Sequence, residues 1–462
     1  MKNKNRIAFL NFLSNLLLRG ISIFSAPVFS RLLGTSGYGI VSVYNTWTRI
    51  LGVLLPMQSN LTLVNAKVEF SEEEQEKYQS SVLSMSLLGF AVAFVICGLF
   101  LKPISTAIHL PGALVFLMLL QAFGNFATSF AGSKYTYEFK AGRNLFLSVG
   151  ITLATLALSL VLVLNLPQEN RYLGRIWGNV IIYAGVGAVL AIGILWRGRT
   201  FFRWDYWKFC MVLALPMVFY SLSDMLLAQS DQIMLQTMMD STNVGLYSLA
   251  YTFSNVLFTI FHSLNNTWVP FFFDDMKNGE REKIRESAVN FLELFTILAM
   301  GFVLLAPEVF RIYAGREFWG GMNLIPLFSM GYYLNFLCTF PVNYDYYKHR
   351  NKMVALITIF CAVANLGLNY IFIQMYGALG AALATTTSHF LQLVLHHVYA
   401  AHILGKGEYP YPVKLWGGYG LFFLAAFFAA YLLSGSWIAR WGIGAVLGLW
   451  ELYRIYKRRS LL

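Results

Sequence analysis

Apolar stretches of twenty or more residues recur along this chain from residue 8 to residue 456, and most of the charge sits in the segments between them. About 20 apolar residues is the length an α-helix needs to cross the hydrocarbon of a bilayer. In that solvent every backbone N–H and C=O must be satisfied within the segment itself. The expected fold class is therefore an all-α membrane protein. Composition agrees: 12% of the 462 residues are charged, against about a quarter in ordinary soluble domains.

Breaks at Gly, Pro and charge clusters give about fourteen transmembrane helices. They fall at 8–33, 38–63, 80–101, 107–131, 144–166, 172–196, 209–239, 244–273, 288–312, 322–347, 353–375, 377–402, 415–434 and 437–456. The first stretch is too long for a signal-peptide core and lacks a small-residue cleavage site, so it reads as span 1. Cys97, Cys210, Cys338 and Cys361 all fall inside spans and read as small buried hydrophobes.

Charge fixes the orientation. With the N-terminus inside, 25 of the 34 Lys and Arg residues lie in internal segments, and three (Lys102, Arg171, Arg316) lie in external loops. This positive-inside bias places both termini in the cytoplasm. The net charge of +12 is then a topological signal and no nucleic-acid partner is expected. The segment Arg197–Lys208 alternates basic and aromatic residues, as an interfacial connector would.

The chain also repeats itself. At an offset of 206, residues 37–81 align without gaps on 243–287, including Gly39 with Gly245, Thr46 with Thr252, Asn60 with Asn266 and Lys77 with Lys283. The shift moves span 2 onto span 8. Six spans is an even number, so the repeat is parallel, with its axis along the membrane normal. The expected layout is an N-terminal lobe (1–196), the connector (197–208), a C-terminal lobe (209–402) and two further spans with a basic tail (403–462). Two six-helix lobes would face a central cavity and alternate access by rocking.

Polar residues inside the spans mark that cavity. Arg19 sits mid-span, where a guanidinium costs at least roughly 2.5–3.5 kcal/mol on insertion scales. It shares a helix face with Asn11, Asn15 and Ser22. Span 2 carries Asn45, Arg49 and Asn60; span 7 carries Tyr220, Asp224 and Asp231; span 8 carries Tyr251, Asn255, His262 and Asn266; span 10 carries Asn335. Each Asn, Ser or Thr also has a reading as helix–helix glue. Arg19 and Asp224 have one as a structural ion pair. His389, His396, His397 and His402 resemble a metal set in composition, but nothing else completes one, and neither a metal nor a cofactor is expected.

Spans 1 and 2 hold no acid, and fixed guanidiniums suit a phosphate or diphosphate. We read Arg19, Arg49 and Arg31 as diphosphate ligands. Asn15, Asn45, Tyr220, Tyr251, Asn255, His262 and Asn335 are read as glycan-facing cavity lining. Asp224 and Asp231 are read as coupling groups for H⁺ or Na⁺, or as a lobe latch.

Three stretches carry a family likeness: Arg31-Leu-Leu-Gly-Thr-Ser-Gly-Tyr38-Gly39-Ile40; Ser230-Asp231-Gln-Ile-Met-Leu235 running on to Asn243-Val-Gly245-Leu-Tyr247-Ser-Leu-Ala-Tyr251; and Ala364-Asn365-Leu-Gly-Leu-Asn369 leading into Tyr376-Gly377-Ala-Leu-Gly380. Together with the fourteen-span layout they resemble the Wzx-type polysaccharide and O-antigen flippases of the multidrug/oligosaccharidyl-lipid/polysaccharide (MOP) exporter superfamily. The resemblance implies movement of an undecaprenyl-diphosphate-linked oligosaccharide across a bacterial plasma membrane, with a polysaccharide polymerase as possible partner. Two other readings stay open. A drug or cation antiporter of the same superfamily would want a carboxylate in span 1 or 2. A lipid-linked sugar polymerase or glycosyltransferase would want a sizeable external loop.

Overall fold

The computed structural model describes residues 2–404, 408–411 and 413–458. Among these every regular element is helical. Fifteen α-helices are numbered in chain order. They are α1 (Lys2–Leu54), α2 (Leu63–Glu69), α3 (Glu72–Leu99), α4 (Leu101–Ile108), α5 (Gly112–Tyr137), α6 (Ala141–Leu164), α7 (Arg171–Gly198) and α8 (Trp204–Met238). There follow α9 (Ser241–Asn278), α10 (Arg281–Tyr313), α11 (Ile325–Tyr347), α12 (Asn351–Tyr376), α13 (Ala378–Val398), α14 (Val413–Leu432) and α15 (Trp437–Arg458). Each of the fourteen expected spans overlaps one of these helices, although span 2 (38–63) overruns the end of α1 at Leu54 through a turn and the 3-10 stretch Ser59–Thr62. Among the described residues, nine helical segments combine the length and hydropathy needed to cross a bilayer by those criteria alone.

Spans 1 and 2 share α1, which breaks at Gly34 (φ 71°, ψ 173°). That backbone region is closed to residues with a Cβ, so glycine is what lets the chain redirect there without a longer loop. The start of α3 is set by a capping box. The Ser71 hydroxyl accepts from the Glu74 amide while the Glu74 carboxylate accepts from the Ser71 amide. Glu72, Glu73 and Glu74 place negative charge at the positive end of the helix dipole.

Contacts divide the chain into two compact units, Met1–Gly245 and Leu246–Leu462. In the first, α7 packs on α3, α5 and α6, and α1 packs on α5, α6, α7 and α8. Its apolar core includes Tyr78, Phe90, Phe126, Phe130, Tyr206 and Cys210. The aromatic connector folds back on α3: the Trp207 indole donates to the Ser81 carbonyl at 2.9 Å, and the Arg203 amide donates to the Ser81 hydroxyl at 3.1 Å. The second unit has an aromatic centre in which Trp268, Phe291, Phe336 and Phe340 meet edge to face or tilted. There α10 packs on α14 and α15, and α13 packs on α11 and α12.

Candidate functional site

The site in the first unit is built on close helix approaches. In α7 the sequence Gly174-Arg175-Ile-Trp-Gly178-Asn179 is a GxxxG pattern. A Cβ on Gly174 would lie 2.8 Å from the Val163 nitrogen, and one on Gly178 would lie 2.7 Å from the Ser159 Cα, so both glycines lie directly on α6. Gly124 of α5 and Gly187 of α7 meet in the same way. Small residues at crossings are how membrane helices gain van der Waals contact. The residues next to the two α7 glycines, Arg175 and Asn179, turn into the space between the helices.

That space is a polar cavity with two adjoining sections. One, of about 410 Å³, is lined by Ser22, Ser25, Asn45, Thr48 and Arg49 of α1, Gln121 and Asn125 of α5, Thr152 and Thr155 of α6, and Arg175, Asn179 and Tyr183 of α7. The other, of about 470 Å³, is lined by Thr128, Ser129, Ser133 and Thr136 of α5 and by Asn144 and Ser148 of α6. Leu18, Asn125, Thr152 and Tyr183 border both. Among the described lining residues, two arginines belong to the first section and no carboxylate belongs to either. The second section is uncharged and dominated by hydroxyls and amides.

The sequence-derived candidates divide as follows. Arg49 and Asn45 line the cavity, and the Arg49 Nε donates to the Asn45 carbonyl at 3.4 Å. Asn15 and Arg19 fall on α1 and Asp224 on α8, but their side chains lie outside the described residues. Arg31 is exposed near the Gly34 break and is not among the lining residues of either section. On α8, Asp231 is buried and Tyr220 is exposed. Thr46 ties α1 to the same helix by donating its hydroxyl to the Gln232 side-chain Oε1 at 2.9 Å.

In the second unit, Tyr251 and His262 belong to one aromatic column. Tyr251 stacks on Tyr247 and meets Phe328 and Tyr332, while Phe258 bridges Tyr332 and His262. Asn255, on the same helix, is half-buried. Asn335 approaches His389 at 3.5 Å. His396 is bonded to Asp345 at 2.9 Å, both fully buried.

Arg175, Gln121, Asn125, Thr155, Asn179 and Tyr183 were not singled out from the sequence. Two signals for them were present. One is the GxxxG pattern that Arg175 and Asn179 interleave. The other is the α5 run Asn125, Thr128, Ser129, Gly132, Ser133 and Thr136, spaced i, i+3, i+4, i+7, i+8 and i+11 on one helix face.

The helices define the class: a multi-pass α-helical membrane protein. Over 98% of this chain and 99% of the other, the fold matches the lipid II flippase MurJ in an inward closed conformation, with a TM-score of 0.73 and 16% sequence identity. A multidrug resistance MATE family transporter of the MOP superfamily, inward-facing, matches with a TM-score of 0.58 and 13% identity over 83% and 93% of the two chains. Residues 6–276 match the family described as polysaccharide biosynthesis protein. That match covers more than half of the chain, and the chain belongs to this family. Two Haemophilus influenzae proteins are similar over 350 residues: an uncharacterized membrane protein (21% identical, 74% of this chain and 83% of the relative) and Lsg locus putative protein 1 (22% identical, 73% and 83%). The superfamily suggested by the sequence motifs thus agrees with both the family and the fold.

Proposed function

We propose that this protein is a flippase that carries a lipid-linked oligosaccharide, held through a diphosphate, from the inner to the outer leaflet of a bacterial plasma membrane. The observation that carries the reading is the cavity, whose described lining residues include arginines, amides and hydroxyls and no carboxylate. Guanidinium groups pair bidentately with phosphate oxygens. Amides and hydroxyls match sugar hydroxyls in both donor and acceptor sense. Family membership and the likeness to a lipid II flippase support the same substrate class.

In this reading Arg49, with Arg19 beside it in the sequence-derived set, holds the diphosphate. The uncharged section holds the first sugars, and the polyprenyl tail stays in lipid. The parallel repeat would alternate access, with Asp224 and Asp231 coupling the motion to H⁺ or Na⁺. Both termini lie in the cytoplasm. The α5–α6 connection, with Lys140 in it and Lys134 and Arg143 on the flanking turns, is then internal, and the uncharged section borders that end. Flipped product would pass to a polysaccharide polymerase.

The test is a deletion strain complemented with wild-type protein or with Arg49→Ala at equal membrane abundance. Surface polysaccharide should vanish in the deletion, return with wild type and fall at least tenfold with Arg49→Ala. Normal polysaccharide in the deletion strain, with sensitivity to cationic drugs in its place, would replace this reading with the antiporter.

A further inference from the structure

We infer that Arg175 is a second anion-binding residue, contacting a phosphate ester or diphosphate within the cavity at a depth different from that of Arg49. The inference rests on the proposed flippase reading for the identity of the substrate. Its geometry stands separately.

Arg175 lies one turn into α7, and its guanidinium stacks on the Phe29 ring at 3.9 Å to the centroid. Stacking uses the face of the guanidinium and leaves its N–H edge directed outward. On that edge Nη1 is buried and has no hydrogen-bond partner. Two neighbouring groups that line the same section share the condition. The Thr155 hydroxyl and the Gln121 side-chain oxygen are buried and unpartnered, on residues 5% and 4% exposed. Buried polar groups are nearly always satisfied, so a cluster of three around one cavity needs an explanation. An oxyanion supplies one. It accepts from the Arg175 N–H edge and from the Thr155 hydroxyl, and the Gln121 amide offers its donor end after a flip.

The axial positions separate the two arginines. Arg175 is level with Phe29, five residues before the Gly34 break, whereas Arg49 lies fifteen residues beyond that break in the other arm of α1. At roughly 1.5 Å per residue these are different depths along the helices. Arg175 also belongs to the end of α7 that follows the external loop holding Arg171. An anion released by Arg49 therefore meets a second cation on the outward side of the same polar wall.

Binding is measured on the purified full chain in phosphatidylcholine nanodiscs. The probes are undecaprenyl diphosphate, inorganic pyrophosphate and phosphatidylglycerol, with unfolding temperature followed in parallel. Arg175→Gln should weaken undecaprenyl diphosphate about ten- to a hundredfold, the expected loss of a charge-assisted contact. Arg175→Lys should fall between, because it keeps the charge and loses the fork. Thr155→Val preserves volume. It should weaken binding several-fold with little change in the unliganded unfolding temperature, which keeps the test open if Arg175→Gln folds poorly. Wild-type affinity in both Arg175→Gln and Thr155→Val overturns the inference; if Arg49→Gln still abolishes binding, the flippase reading survives that failure. Pyrophosphate binding that depends on Arg175, without binding of the polyprenyl ester, upholds the anion site and removes the flippase substrate. Arg175-dependent competition by phosphatidylglycerol alone assigns the site to bulk lipid headgroups. Binding of none of the three probes by the wild type overturns it.

Discussion

The crossing of α5 and α7 holds the cavity together, and Gly124→Ala tests it. A methyl placed on Gly124 would sit 2.3 Å from the Tyr183 carbonyl carbon, 2.4 Å from its oxygen and 2.5 Å from the Ala184 nitrogen. Ordinary contact begins at 3.4 Å, so the helices must separate by about 1.1 Å. No side chain can rotate to relieve this, because all three atoms are helix backbone. Overpacking of this kind costs about 1–3 kcal/mol and occasionally more; rigid backbone on both sides argues for the upper part of that range. The displaced walls carry Gln121 and Asn125 on one helix and Arg175, Asn179 and Tyr183 on the other, so ligand binding should suffer along with stability. Gly185→Ala on α7 is the matched control, because a Cβ there meets nothing within 4 Å. Thermal unfolding of the purified protein in detergent, followed by tryptophan fluorescence, should show a loss of several degrees for Gly124→Ala and no loss for Gly185→Ala. Equal unfolding temperatures for the two would refute the claim that this crossing is closed by glycine.

Other perturbations follow from the same geometry. A Cβ on Gly39 would lie 1.8 Å from the Ser241 carbonyl oxygen and one on Gly245 would lie 2.0 Å from the Thr35 oxygen; Gly39→Ala or Gly245→Ala should sharply reduce the monodisperse fraction on size exclusion, and a normal elution profile would count against the contact. Arg440 of α15, almost fully buried, pairs with Glu308 of α10, which also accepts from the Trp441 indole at 3.2 Å. Glu308→Gln should destabilise by about 3 kcal/mol, the low end of the range for a broken buried pair, because Glu308 is partly exposed. Adding Arg440→Met should recover part of the loss in the same unfolding assay. Ser71→Ala removes a capping box worth about 1 kcal/mol, and faster amide exchange confined to the first turn of α3 would report it.

Most of the fold was legible because the bilayer reduces it to length and hydropathy. Span ends were less so. Helix α5 runs to Tyr137, past the expected end at 131; Lys134 is buried near its C-terminal end and bridges to Glu138 one turn on. Hydropathy ends a span at its first lysine, whereas the helix continues until its last turn is satisfied. The Gly34-Thr-Ser-Gly37 segment reads as a loop, yet helix resumes directly after Gly34. The arginines of spans 1 and 2 could be singled out because nothing apolar explains a cation there. Arg175 could not, since a cation one turn from a helix end also reads as an interfacial anchor. The hydroxyls of α5 and α6 were hidden for a different reason. Ser and Thr can bond back to their own helix, as Thr128 does to Gly124 and Thr152 does to Ser148. Their presence in a span therefore does not distinguish a cavity wall from a lipid-facing surface.

The cavity of the first unit and the helices of the second differ in how charge is paired, and under the proposed function that difference bears on the cargo. In the second unit, carboxylates on membrane helices are matched to bases: Glu293 with Arg454 at 2.9 Å, Glu308 with Arg440, and Asp345 with His396 at 2.9 Å. Matching is the expected solution, since an uncompensated buried charge costs several kcal/mol. In the first unit the cavity presents Arg49 and Arg175, with no carboxylate among its described lining residues. Placing one there would relieve the desolvation cost and also neutralise the field an anion needs. At Arg175, whose Nη1 is buried without a hydrogen-bond partner, the lack of a carboxylate among those residues leaves an electrostatic cost which a bound anion would offset. A cationic cargo would add to that cost at Arg175 and would be repelled by Arg49. Under the proposed function, this local imbalance, rather than the net charge of +12, favours an anionic cargo over a cationic one.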